Sequence, residues 1–259
     1  MLRFLQRGTI ILFLLVAAGY AGLTIHTHMN VDRTPPVITC DSDVVEIRVG
    51  SSDSALLRGV TATDDQDGDV TDEIMIKGVS QLITANTARV TYIAFDSSNN
   101  MSTATRTVRY TNYEKPRFAL QQPLRFASGG QIALLDRLTA SDVIDGDISK
   151  NILVTTQNVN ANQPGTYTVT VQVVNRLGDV EFLPLKVIVA NHAESAVQLS
   201  DYIVYLDAGS IFDPRACIIA PTDPFGVKID SNVETNTPGI YDVTYTYQTD
   251  TVCQTVVVR

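Results

Sequence analysis

The chain has 259 residues, enough for one large domain or for two to three small ones. It carries 28 acidic and 19 basic side chains, a formal charge of −9 at pH 7. A surface of this sign repels phosphate backbones, which argues against nucleic acid as a partner, and it is compatible with divalent cations. The simpler interpretation is that the acidic surface only keeps the protein in solution.

The N-terminal segment has the pattern of an export signal. Arg3 and Arg7 precede an uncharged apolar run at 8–25, whose length is near the lower limit for a helix that spans a membrane. The basic flank is expected to stay in the cytoplasm. We therefore predict a cytoplasmic tail at 1–7, an uncleaved transmembrane signal anchor at 8–25 and a stalk at 26–34. This places the protein in the cell membrane as a single-pass protein with everything after the anchor outside. The alternative is a cleaved signal peptide, which would make the protein secreted.

Two copies of one module follow each other along the chain. Gly-Val-Thr-Ala-Thr-Asp at 59–64 returns as Arg-Leu-Thr-Ala-Ser-Asp at 137–142. Asp-Gly-Asp-Val-Thr at 67–71 returns as Asp-Gly-Asp-Ile-Ser at 145–149, also 78 residues later. Two blocks at one spacing indicate an internal repeat.

A third and more divergent copy closes the chain. Pro-Gly-Thr-Tyr-Thr-Val-Thr-Val at 164–171 returns as Pro-Gly-Ile-Tyr-Asp-Val-Thr-Tyr at 238–245, but this copy has no Asp-Gly-Asp triplet. We predict three modules, the first at 35–112, the second at 113–190 and the third at 191–259.

The residue pattern inside each copy is that of β-strands. Val-Thr-Val-Gln-Val at 169–173 and Val-Thr-Tyr-Thr-Tyr at 243–247 alternate apolar or aromatic with polar residues, the period of a half-buried strand. Turn residues separate such runs, and helical periodicity is nearly absent outside 8–25. The predicted fold class is all-β, with tandem immunoglobulin-like β-sandwich domains after an N-terminal transmembrane helix. The short connectors between modules predict a semi-rigid rod.

Three motifs of the first module resemble a known family. They are Asp-Arg-Thr-Pro-Pro-Val-Ile-Thr at 32–39, the Asp-rich block at 59–71, and Val-Thr-Tyr-Ile-Ala-Phe-Asp-Ser-Ser-Asn-Asn at 90–100. Together they resemble bacterial immunoglobulin-like repeats related to the immunoglobulin-like domain of pesticidal crystal proteins. The resemblance implies extracellular spacer, adhesive or accessory modules of a bacterium, without catalysis and without a fixed ligand. The chain departs from the family at 86–88, where Asn-Thr-Ala stands in place of Pro-Gly-Thr.

Aspartates cluster in the first two modules. The candidate metal ligands are Asp64, Asp65, Asp67, Asp69, Asp142, Asp145 and Asp147. Calcium prefers several oxygen ligands on a flexible loop, and Asp96 is expected to be able to approach the first cluster from the next-but-one strand. The alternative is purely structural, because aspartates bond their own backbone in turns and Gly68 and Gly146 supply turn geometry.

Cysteines leave two interpretations open. Cys217 and Cys253 both fall in the third module and could form a disulfide in an exported protein. They could equally be two buried free thiols, which pack as small apolar side chains. Cys40 is predicted to be a core residue of the first strand.

Motifs for catalysis are missing from the sequence. It contains no Gly-x-Ser-x-Gly elbow, no His-Glu-x-x-His pair and no phosphate-binding glycine-rich loop. We predict that the protein is not an enzyme and that it has no cofactor, with calcium in the Asp-rich turns as the one alternative. Tyrosines of the third module are candidates for recognition or for the core: Tyr202, Tyr205, Tyr241, Tyr245 and Tyr247.

The predicted function is that of a membrane-anchored, extracellular spacer, adhesion or protein-interaction protein. The alternative is a calcium- or carbohydrate-binding accessory module of a cell-surface assembly. The predicted partners are the membrane, through the N-terminal helix, and an unidentified surface protein or glycan.

Overall fold

A computed structural model describes the backbone of residues 2–29, 32–84 and 86–259, and the side chains of 8–22, 32–84 and 86–259. The described chain is mostly β-sheet, so the all-β part of the predicted fold class is confirmed. The immunoglobulin-like sandwich arrangement and the division into three modules, at 35–112, 113–190 and 191–259, stay predictions.

Helices are few in the described chain. α1 covers Leu2–Met29 and α2 is a single turn at Asp53–Leu56. The 3₁₀ helices lie at Thr71–Glu73, Leu135–Arg137, Ser149–Asn151, Pro214–Cys217 and Pro224–Gly226.

The predicted membrane anchor is wrong. Among the residues that the structure describes, no helix has both the length and the apolar character needed to cross a membrane. The side chains at 23–25, the end of the predicted anchor, lie outside the described residues. The single-pass membrane location that was derived from the anchor is overturned with it.

Contacts divide the chain into two compact units. The first unit comprises Met1–Ile47, Ser51–Ser80 and Thr87–Arg109. Its strands are β1 (Val37–Cys40), β2 (Val44–Ile47), β3 (Val60–Asp64), β4 (Gly68–Asp69), β5 (Met75–Val79), β6 (Thr87–Phe95) and β7 (Met101–Tyr110). They form one sheet in the order β1-β3-β4 and another in the order β2-β7-β6-β5.

Alternation of side chains gives the first unit its core. Along β6, Ala88, Val90, Tyr92 and Ala94 are fully buried while the residues between them are not, as expected for a strand with one face in the core. The Tyr92 hydroxyl donates a 2.7 Å hydrogen bond to the Leu56 carbonyl, so the one polar atom of this side chain is satisfied inside the core.

The second unit comprises Arg48–Gly50, Gln81–Asn86 and Tyr110–Arg259. In the second module its strands are β8 (Arg117–Leu120), β9 (Arg125–Ala127), β10 (Leu138–Asp142), β11 (Gly146–Asp147), β12 (Leu153–Gln157), β13 (Gly165–Val174) and β14 (Val180–Ala190). In the third module they are β15 (Gln198–Leu199), β16 (Ile203–Leu206), β17 (Ile218–Ala220), β18 (Lys228–Ser231), β19 (Gly239–Tyr247) and β20 (Asp250–Val258).

Four sheets make up the second unit, and their orders are β11-β10-β8, β12-β13-β14-β9, β15-β17 and β16-β20-β19-β18. Antiparallel hairpins dominate, while the edge strands β9 and β16 pair in parallel with β14 and β20. One hydrophobic cluster extends from Phe118 to Val258 and joins buried residues of the second and third modules. These two modules therefore share a core.

The repeat seen in the sequence is also a repeat of structure. β3 and β10 begin at Val60 and Leu138, and β4 and β11 begin at Gly68 and Gly146, 78 residues apart in both cases. The tight turns between these strands need a left-handed residue, and Gly68 and Gly146 supply it with φ of +75° and +70°.

Candidate functional site

Three carboxylates meet in the first unit. Asp32 precedes β1, Asp64 is the last residue of β3, and Asp96 directly follows β6. One carboxylate oxygen from each lies within 4.8 Å of the other two. The three residues are 5%, 8% and 6% exposed, so the fold withdraws three acidic side chains from water at one place.

Backbone N–H groups hold one oxygen of Asp32 and one of Asp64. Asp32 Oδ1 accepts from the Thr34 N–H at 2.9 Å. Asp64 Oδ1 accepts from the N–H groups of Gln66 and Asp67 at 2.9 and 3.0 Å. These bonds, that of Asp67 first, lower the pKa of Asp64 from its ordinary value, so they favour the charged form.

Asn100 holds the third carboxylate. Its backbone N–H donates to Asp96 Oδ1 and its side-chain Nδ2 donates to Asp96 Oδ2, both at 2.7 Å. Nδ2 also lies 3.2 Å from the Asp32 carbonyl oxygen. Asn100 therefore joins the segment before β1 to the loop after β6.

Two oxygens of this group have no hydrogen-bond partner among the described residues. They are Asp32 Oδ2 and Asp64 Oδ2, and both are buried. Among the described residues, no ion pair with a lysine or arginine contains Asp32, Asp64 or Asp96. Buried polar atoms are normally satisfied, so two unsatisfied carboxylate oxygens on neighbouring aspartates need a physical explanation.

The corresponding place in the second module is closed by hydrogen bonds. Asp142 takes the position of Asp64, and Asn175 takes that of Asp96. Asn175 Nδ2 donates to Asp142 Oδ2 at 2.8 Å and also contacts the Tyr113 hydroxyl oxygen at 3.1 Å. The acid of this loop has moved to Asp179, whose Oδ2 accepts from the Tyr113 hydroxyl. Burial is the first cause of the raised pKa of Tyr113, which keeps that hydroxyl protonated.

Four of the predicted metal ligands accept hydrogen bonds from the protein itself, two of them from a distant loop and two within their own turn. Asp67 accepts from the N–H and the hydroxyl of Ser97, and Asp145 correspondingly accepts from the Arg176 N–H. Asp69 and Asp147 accept from the residues two positions later, Thr71 and Ser149.

These turn bonds, with the hydroxyl contribution first, lower the pKa of both Asp69 and Asp147. Asp65 is exposed. Of the seven predicted ligands, Asp64 alone belongs to the group of three carboxylates.

Asp32 is the residue that sequence reasoning missed. It was assigned to a stalk, although it begins the Asp-x-Thr-Pro-Pro motif that carries the family resemblance. Its presence at the start of that motif was the available signal. Asp96 was considered as a residue that approaches the first cluster, and the structure brings it beside Asp64.

The cysteines are free in the structure. Cys40, Cys217 and Cys253 are all partly buried thiols, the second of the two alternatives for the late pair. Burial raises the pKa of Cys253, so its thiol stays protonated at neutral pH.

Two tyrosines of the third module belong to the core. Tyr202 and Tyr245 are buried, and the Tyr245 hydroxyl donates to Gln254 Oε1 at 2.8 Å. These two side chains are therefore not available on the surface for recognition.

Comparison with curated proteins gives one distant relative, and no family model matches the chain. A region of 118 residues is 33% identical to the pesticidal crystal protein Cry22Aa of Bacillus thuringiensis. The match covers 42% of this chain and 16% of that protein. The match supports weak homology between this chain and Cry22Aa, in agreement with the resemblance drawn from the motifs.

Solved structures give only remote similarities. The CBM51-2 and INT domains of ZmpB from Clostridium perfringens, in complex with GlcNAc, show 19% identity and a TM-score of 0.25 over 64% of this chain and 28% of theirs. A lipoprotein from Bacteroides thetaiotaomicron shows 12% identity and a TM-score of 0.22 over 85% of this chain and 98% of its own. The S-layer protein rSbsC shows 12% identity and a TM-score of 0.21 over 87% and 40%. TM-scores this low support no conclusion about the architecture or the ligand of this chain.

Proposed function

We propose that the protein is a non-catalytic spacer and protein-interaction protein built from immunoglobulin-like β-sandwich modules. The observation that carries the proposal is the way in which the second and third modules are locked together. A spacer must hold its two ends at a fixed separation, and a fixed separation requires modules that do not swing about their connector.

Arg125 is the centre of this lock. It is 3% exposed and belongs to β9 of the second module. Its Nε donates to the carbonyl oxygens of His192 and Glu194, at 3.2 and 3.1 Å, in the connector 190–194 that leads from β14 towards β15. Its Nη1 and Nη2 donate to the Thr251 carbonyl and to Asp250 Oδ1, each at 3.0 Å. One buried guanidinium thus binds the connector and β20 of the third module at once.

Further contacts join the two modules away from Arg125. The Phe118 N–H donates to the Tyr205 hydroxyl at 2.8 Å, and the Tyr202 N–H donates to the Leu120 carbonyl at 3.0 Å. Arg259 pairs with Glu181 at 2.9 Å. Together with the shared core, these contacts support a single rigid body rather than two linked beads.

Distance measurements between the two modules test the proposal. Spin labels would be attached at the exposed positions Lys150 and Lys228, each changed to cysteine, in the full chain with the three native cysteines replaced by alanine. We expect one narrow distance distribution. Arg125→Met removes the lock and should broaden the distribution, while Arg109→Met, at a half-exposed arginine of β7, should leave it unchanged.

If the chain that retains Arg125 gave a distance distribution as broad as that of a flexible linker, the spacer proposal would be contradicted. Carbohydrate recognition, the alternative function, stays a prediction.

A further inference from the structure

We propose that Asp32, Asp64 and Asp96 form a calcium site in the first unit, and that the equivalent place in the second module does not bind the ion. The inference is independent of the spacer proposal. It is carried by the two buried, unpartnered oxygens Asp32 Oδ2 and Asp64 Oδ2 together with the position of Asp96 beside them.

The spacing of the three oxygens fits one ion. Calcium binds oxygen at about 2.3–2.6 Å, so two ligands of the same ion are at most roughly 4.6–5.2 Å apart. The three carboxylates offer oxygens within 4.8 Å of one another. They need not move far to bind a common cation, and backbone carbonyls or water can complete the six to eight ligands that calcium takes.

The orientation of the carboxylates also suits a cation. Asp32 and Asp64 each use one oxygen to accept backbone N–H bonds, which fixes the side chain and leaves the other oxygen unpartnered. Asn100 fixes Asp96 by donating to both of its oxygens, each of which still has a lone pair for a cation. A ligand set that is already held in place loses little freedom when the ion binds.

Charge explains why an ion is needed. Three buried carboxylates at this distance repel one another, and none of them forms an ion pair with a lysine or arginine among the described residues. A divalent cation reduces the formal charge of the group from about −3 to −1 and satisfies both free oxygens.

The chemistry of the donors selects the ion. All three side chains are oxygen donors, with no histidine or cysteine in the group, so zinc and copper are poor matches. Magnesium requires a tighter octahedron and keeps several of its waters, which suits a buried all-protein site less well than it suits calcium.

The second module shows what the same loop looks like without an ion. Asp96 and Asn100 of the first module correspond to Asn175 and Asp179, so acid and amide have exchanged places. The amide of Asn175 now donates to Asp142 Oδ2, the oxygen that corresponds to the free one of Asp64. A hydrogen atom thus occupies the position where the first module would bind calcium.

Asp96→Asn tests the role of the third carboxylate. It gives position 96 the residue type that the second module has at 175, and it removes the acceptor oxygen to which Asn100 Nδ2 donates. The variant should fold and should no longer bind calcium.

The experiment is a calcium titration of the full chain by calorimetry, together with thermal unfolding in EDTA and in 10 mM calcium. We expect one calcium per chain and a rise in the melting temperature of the first unit by about 5 °C or more. Asp96→Asn and Asp32→Asn should lose both responses. Asp69→Asn, an acid of the same turn that bonds Thr71 instead, should keep them.

Three results would overturn the site. They are the absence of heat and of a melting shift at millimolar calcium in the unmodified chain, a shift of equal size in Asp96→Asn, and a stoichiometry of two ions per chain. An equal response to magnesium would overturn the assignment to calcium. Because the direct titration uses the unmodified chain, a folding defect in any variant does not obscure the answer.

Discussion

Aspartates at equivalent positions of the repeat make different hydrogen bonds because the residues beside them in the fold differ. Asp64 and Asp142 both cap their turn with the same backbone bonds, yet only Asp142 receives a side-chain donor on its second oxygen. The donor is Asn175, where the first module has Asp96. The exchange of acid and amide, together with the Tyr113 hydroxyl, therefore separates a candidate ion site from a closed hydrogen-bond network.

A pH dependence follows from the acids that remain in the turns. The Ser149 hydroxyl, and then its N–H, lower the pKa of Asp147 from its ordinary value of 3.8. A lowered pKa means that the folded state stabilises the charged carboxylate relative to the neutral acid. Asp147 therefore adds stability that is complete above the ordinary value and is lost as the pH falls through the folded value.

We expect Asp147→Asn to make the loss of stability below about pH 4 less steep, because asparagine still accepts the Ser149 N–H but does not titrate. Ser149→Ala should reduce the steepness in part, since it removes the hydroxyl donor and leaves the N–H. Free energies of unfolding in urea at a series of pH values measure the slope. Identical slopes in the original chain and in Asp147→Asn would contradict the assignment.

At the level of elements, strand β9 matters more than its length suggests. It has three residues, pairs in parallel with β14, and carries Arg125 to the connector and to β20. Short edge strands contribute little by their own pairing, so the contribution of β9 lies in what this side chain holds.

Arg125→Met should lower the free energy of unfolding of the second unit by about 3 kcal/mol, because it leaves Asp250, itself mostly buried, without its charged partner. Arg109→Met is the matched control: it removes an ion pair with Glu46 in which both side chains are about half exposed, and should cost less than about 1 kcal/mol. Denaturant unfolding followed by circular dichroism gives both values. Equal losses of unfolding free energy for the two substitutions would show that Arg125 does not hold the second and third modules together.

Considered as a whole, the chain has two units that each enclose buried apolar side chains. The large hydrophobic cluster of the second unit lies entirely between Phe118 and Val258, while the first unit buries its own set around Tyr92. Each unit therefore has the core that a cooperative unfolding step requires.

We expect thermal unfolding of the full chain to show two transitions, with calcium raising one and Arg125→Met lowering the other. Differential scanning calorimetry resolves them, and hydrogen exchange at Tyr92 and at Val256 assigns each transition to its unit. A single transition that responds to both changes would contradict the assignment of separate steps.

The repeat, the strand-rich character and the Asp-Gly turns were predictable from the sequence because they depend on neighbours along the chain. Alternation of side chains defines a strand, and an aspartate that bonds the N–H two or three residues later defines a turn, whatever the rest of the chain does. The membrane anchor was wrong although it rested on an equally local pattern, because an apolar run does not by itself establish a spanning helix.

Only the tertiary structure decided which acids meet and which modules are joined. Asp32, Asp64 and Asp96 are 32 residues apart in sequence at each step, and their approach depends on how β1, β3 and β6 lie beside one another. Arg125 and Asp250 are farther apart still. Side-chain pairs at such separations follow from the packing of whole strands, which no local pattern encodes, so the sequence determined the parts and the fold determined the site.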